Sequence, residues 1–123
     1  VLLRLGELIA FAESAACLAR RAARAKEGRL HEKASDRFNA TSLATLSRIF
    51  SREAALKVAQ DGLRWIAGGG GVTAADMASF EASLGLPAIY RAQVGLIADM
   101  DFIADTLYGR AEKHLEPAVA LQH

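Results

Sequence analysis

The chain has 123 residues, 52% of them hydrophobic and 24% charged, with a formal net charge of +1. That length suits one small core without metal or disulfide staples, and so small a charge gives no global field for nucleic acid or any other polyanion. Cys17 is the one cysteine, which excludes an internal disulfide and any multi-cysteine metal site.

No apolar stretch reaches the roughly 20 residues of a membrane span. Arg4 and Glu7 break the first apolar run, so no secretory leader is expected there. A start at Val1 rather than Met reads as a processed or excised segment. A cytoplasmic or organelle-matrix setting follows from the lone thiol and the missing leader. Within its helical pattern Cys17 is expected to be a small buried residue.

Residues 2 to about 27 place Leu2, Leu5, Ile9, Ala12, Ala16, Ala19 and Ala23 at spacings of three and four, one stripe of an α-helix. Its alanine half lets a partner helix come close. Gly28 should close this helix, with Arg24 and Lys26 favoured near its C-terminus by the helix dipole. A second helix is expected from Asn39 or Thr41, both good N-caps. It continues through Leu43, Leu46, Ile49, Leu56, Ala59, Leu63 and Ile66, with Phe50 and Val58 widening the face and Arg52 interrupting a core position. Gly62 costs about 1 kcal/mol inside a helix relative to alanine, and a close backbone contact is its expected use.

Gly68, Gly69, Gly70 and Gly71 end that helix, since glycine alone adopts left-handed backbone freely. Thr73 and Asp76 form a capping-box start to a short third helix, which Gly85-Leu86-Pro87 breaks. Pro87 then suits the first turn of a long last helix. There Ile89, Leu96, Met100, Ile103 and Leu107 share a stripe, with Tyr90, Val94 and Ile97 beside it. Gly109 should end it. The expected fold is all-α: an up-down bundle of three long helices plus one short, over residues 1–109, with a frayed tail at 110–123.

Candidate chemistry is sparse. A phosphate-cradling glycine loop follows a strand and brings a lysine, whereas this run follows a helix and brings none. His31, His114 and His123 lack metal-ligand spacing, so no metal site is expected. Asp101 and Asp105 share a helix face but stand away from Met100 and Ile103, so these acids should face water together with Asp99. From Arg20 to Arg37 seven basic residues, Arg20, Arg21 and Arg24 among them, outnumber Glu27, Glu32 and Asp36. They offer either a solvated, self-paired loop or a contact with anionic membrane or a phosphorylated ligand. Without aromatics to stack bases, nucleic acid is not an expected partner.

The segment from Phe50 to Leu63, ending in Gly68-Gly69-Gly70-Gly71, resembles the C-terminal helical domain of acyl-CoA dehydrogenases. The resemblance covers residues 2 to 109. In that family a glutamine three residues before the paired glycines contacts the flavin; here Trp65 or Ile66 stands there. The aromatic after the glycines is Val72. Where many members carry the glutamate base in Ile-Tyr-Glu-Gly-Thr, this chain reads Ile89-Tyr90-Arg91-Ala92-Gln93, and a guanidinium cannot take up a proton. These departures, with Leu30-His31-Glu32-Lys33 and Glu53-Ala54-Ala55, are most similar to the degenerate domain appended to very-long-chain-type members. The resemblance implies a parent FAD-dependent oxidoreductase that α,β-dehydrogenates acyl-CoA thioesters in fatty-acid β-oxidation. It also implies a homodimer and a possible peripheral membrane attachment. This segment would carry no catalytic residue and hold no flavin of its own, with Gly68 to Gly71 the only candidates to touch one. The alternative is a free-standing helical interaction module that docks on a partner or, through Arg20, Arg21 and Arg24, on anionic membrane.

Overall fold

The computed structural model describes residues 2–29 and 38–109, and all regular structure among them is helical. Five helices follow in order: α1 (Leu2–Lys26), α2 (Ala40–Gly68), α3 (Ala74–Leu84), α4 (Leu86–Arg91) and α5 (Leu96–Leu107). None of them is long and apolar enough to cross a membrane. Leu30 to Lys33 and the residues after Gly109 lie outside the described part, as do His31, His114 and His123.

The helix ends form as the sequence dictates. Gly28 is left-handed at φ 70. Its amide donates to Ala25 O at 3.1 Å and that of Arg29 to Arg24 O at 2.9 Å, the paired bonds of a Schellman ending. Asn39 caps α2, its Oδ1 accepting from the Ser42 amide at 2.9 Å. Thr73 and Asp76 make the full reciprocal capping box. Asp76 Oδ2 takes both the Thr73 amide and the Thr73 hydroxyl, at 2.9 and 2.8 Å, and these bonds hold its carboxyl below the usual range. Gly85 ends α3 in left-handed backbone at φ 65, and Pro87 sits in the first turn of α4.

The long last helix does not form. Pro87 to Leu107 is two helices, because the chain leaves α4 after Arg91 and Gly95 enters α5 at φ 86, outside the right-handed helical region. Periodicity runs through this break and so cannot reveal it. The expected stripe is divided too: Ile103 is buried, but Met100 is 45% and Leu107 67% exposed.

The residues divide into two compact units. The first takes α1 up to Cys17, then Phe50 to Val94. Leu8, Ala54, Ala59 and Leu63 are its buried apolar residues. Phe11 and Phe50 stack with centroids 5.8 Å apart, and Lys57 Nζ lies 5.3 Å from the Phe11 ring centroid. That ammonium also meets Asp61 at 3.1 Å and Glu7 at 3.4 Å; the bond to Asp61 above all holds its pKa above the ordinary lysine value. Arg52 is no defect in the apolar face. Its Nε donates to Ala92 O at 2.7 Å and its Nη2 to Val94 O at 3.0 Å. In return Gln93 Nε2 reaches Ile89 O at 3.1 Å and Arg52 O at 3.4 Å.

The second unit takes Leu18 to Ile49 and everything from Gly95. Ala22, Leu43 and Ile103 are its buried apolar residues, and Ser42 and Thr45 are buried with them. Thr45 Oγ1 donates back to Thr41 O at 2.9 Å and accepts from Arg48 Nη2 at 3.1 Å, so its burial leaves no polar atom unsatisfied. Arg48 grips Asp99 by two parallel bonds of 3.0 and 2.8 Å, which raises the guanidinium pKa further. Asp99 is thus engaged and half-buried, Asp105 is half-buried and Asp101 is exposed.

The packing face of α1 departs from the expected stripe. Leu2, Leu5 and Ile9 are 84%, 47% and 56% exposed, and Ala12, Ala19 and Ala23 are exposed as well. The covered residues are Leu8, Phe11, Ala15 and, from the expected stripe, Ala16 in the first unit and Leu18, Ala22 and Ala25 in the second. Leu8, Phe11, Ala15, Leu18 and Ala22 each stand just before a member of the expected stripe, about 100° round the helix. Cys17 is exposed instead of buried. Gly62 makes no close contact either, since a Cβ there would meet nothing within 4 Å.

Removing the Arg52 fork should expose the turn after α4. Arg52→Ala is expected to lower unfolding stability by about 1–3 kcal/mol, measured in urea. Arg52→Lys should recover little of it, because one ammonium cannot present two parallel donors. The Asp76 cap predicts a pH dependence: a depressed native pKa stabilises above the ordinary carboxylate range and is lost as pH falls through the native value. Amide exchange at Thr73 and Asp76 should accelerate below about pH 4, and Asp76→Asn should flatten that response.

Candidate docking faces and the glycine run

Each unit leaves an apolar helix face in water. In the first, Leu2 and Leu3 are 84% and 92% exposed, and Leu5 and Ile9 continue the face along α1. In the second, Ile97, Met100, Leu107 and Tyr108 line one side of α5, with Ile97 at 68% and Tyr108 at 75%. Residues at i, i+3, i+10 and i+11 on a helix fall on one stripe. Scattered exposed leucines are ordinary. Helical rows of them are the surface that protein partners cover.

The first unit adds a groove of about 320 Å³ beside the α1 face, lined by Ala12, Ala15, Ala54, Ala55, Leu84 and Ile89 among others. It exists because α1 and α2 present alanines where longer side chains would fill the space. Among the described residues Ser51 is the one polar residue that lines it. This region suits apolar side chains.

The glycines expected to be nearest a cofactor form a helix end. Gly68 is the last residue of α2. The Gly69 amide donates to Trp65 O at 3.0 Å, and that of Gly70 to Ala67 O at 3.3 Å. Gly70 and Gly71 then turn left-handed at φ 78 and 75. A Cβ at Gly68, Gly70 or Gly71 would meet nothing within 4 Å; one at Gly69 would touch only the Trp65 and Ile66 carbonyls, at 3.4 and 3.5 Å. A dinucleotide cradle needs glycine because ligand or protein presses on the backbone. Here glycine is required by conformation, at Gly70 and Gly71.

Arg91 ends α4 and is exposed. Among the described residues no three His, Cys, Asp or Glu side chains gather as metal ligands. Arg20, Arg21 and Arg24 are exposed on α1. Beyond them Arg29 pairs with Glu27, so part of the basic stretch is self-paired; Lys33, Arg37, Glu32 and Asp36 lie outside the described residues. The exposed faces escaped the sequence reading because an apolar helical position carries no mark of which stripe will be covered. Comparison with protein-family models, curated proteins and solved structures finds no match to this chain.

The two roles of the glycine run separate by substitution. Gly70→Ala should destabilise by about 1 kcal/mol because of its positive φ, while Gly68→Ala, helical and unobstructed, should stabilise by a similar or smaller amount. Thermal melts of both variants check this; equal losses would speak for a surface pressed against the whole run.

Proposed function

We propose that this chain is a helical packing module, its helices arranged up and down, that docks on other protein surface. The observation that carries the reading is the pair of uncovered apolar rows, Leu2, Leu3, Leu5 and Ile9 on α1 and Ile97, Met100, Leu107 and Tyr108 on α5. Covering one Leu or Ile side chain contributes about 1.5–3 kcal/mol, so each row can supply most of a stable contact.

The specific form of the proposal is the C-terminal helical domain of an FAD-dependent acyl-CoA dehydrogenase, packed against the rest of its parent and a second subunit. The likeness of Phe50 to Leu63 with the glycine run supports it, as does Arg91 at the position of the family's base. In this form the parent carries the dehydrogenation and the flavin, and this segment contributes packing. A second reading is favoured by exposed Arg20, Arg21 and Arg24: attachment to anionic membrane, each cation near the surface contributing about 1 kcal/mol.

Sedimentation equilibrium tests the packing role. The chain should associate with rising concentration or with added parent protein. Leu5→Ser with Ile9→Ser, or Ile97→Ser with Met100→Ser, should weaken that association at least tenfold with helicity unchanged. A monomer indifferent to parent protein, or a stoichiometric flavin spectrum after mixing with FAD, would overturn the proposal.

A further inference from the structure

The second unit contains a groove of about 430 Å³ between the C-terminal turns of α1 and the first turns of α2. Five alanines form its floor, and the other lining residues are Lys26, Thr41, Ser47 and Arg48. All four can donate hydrogen bonds, and among the described residues no carboxylate lines the groove.

Their donors are largely uncommitted. Arg48 gives Nε and Nη2 to Asp99 and Thr45, which leaves Nη1. Within the described residues the Lys26 ammonium and the Thr41 and Ser47 hydroxyls make no hydrogen bond or ion pair. Arg48 is paired with Asp99, and Lys26 is the other cation among the described residues that line the groove. The alanine floor supplies apolar contact and no polar atom beyond the backbone.

We propose that this groove binds a small monoanion with a short apolar body, the anionic head between Lys26 and the Arg48 Nη1 edge and the body on the alanines. The inference is independent of the packing role. One water occupies about 30 Å³, which sets the scale: the groove takes a body of several carbons. The same chemistry can come from a soluble alkyl carboxylate or from the head and first methylenes of an anionic lipid.

Titrating the full chain with hexanoate, followed by backbone amide resonances, tests the site. Shifts should concentrate on residues 40–48 with a dissociation constant on the order of 1 mM. Acetate, which lacks the body, and hexanol, which lacks the charge, should each bind at least tenfold more weakly. Ala44→Leu, which fills the floor, should abolish hexanoate binding, and Lys26→Gln should weaken it about fivefold and remove its salt dependence. Phosphatidylglycerol vesicles separate the sources: binding lost in Ala44→Leu assigns the lipid, and binding that survives assigns the soluble ligand. Hexanoate shifts no larger than those of acetate would overturn the proposal. So would shifts unchanged in Lys26→Gln, an exposed position where the substitution leaves the fold intact.

Discussion

The guanidinium of Arg52 decides how the end of the first unit is built. Turn carbonyls near a helix end need donors, and here one planar fork supplies two of them across a sequence separation of 40 and 42 residues. Gln93 answers from the other side, its amide bonded to the backbone of both α2 and α4. Local propensity would let Pro87 to Leu107 run as one helix. The break needs a left-handed glycine at 95 and a cation that rewards the turn preceding it, and both are present.

A related arrangement, one turn earlier on α2, orders the second unit. Arg48 holds Asp99 in the first turn of α5, where a carboxylate also suits the helix N-terminus. Arg52 reads in the sequence as a polar interruption of an apolar face. Such interruptions are the places where a long-range polar bond can be made without burying an unpaired charge. The sequence signal was the anomaly itself, a cation at a core position; its partner could not be read, because nothing local points from residue 52 to residue 92.

What was legible follows the range of the forces involved. Helix ends depend on residues within four positions of each other, so Gly28, the Thr73–Asp76 box, Gly85 and Gly109 could be assigned from the chain alone, and the start of α2 narrowed to Asn39 or Thr41. The packing face of α1 could not. Two apolar stripes run along it one residue out of phase, and both satisfy the 3.6-residue period. The expected stripe puts its bulk at Leu2, Leu5 and Ile9 and then thins to alanine. The covered one distributes Leu8, Phe11 and Leu18 along the helix. Buried apolar area is the larger where bulk is spread along the contact, and that favours the second. An all-α reading survives such an error; a docking-face reading does not.

Alanine content links the two kinds of surface on this chain. Where both facing helices carry alanine, their backbones can approach, but the short side chains do not fill the space beside the seam. In the first unit that space is rimmed by Leu84 and Ile89 and stays apolar. In the second the same floor is rimmed by Lys26, Thr41, Ser47 and Arg48, and the space becomes amphiphilic. The backbone cause is shared, so the chemistry each groove can recognise is set by a few rim residues. Composition counts those rims as ordinary surface, and only their placement beside an unfilled floor makes them a site.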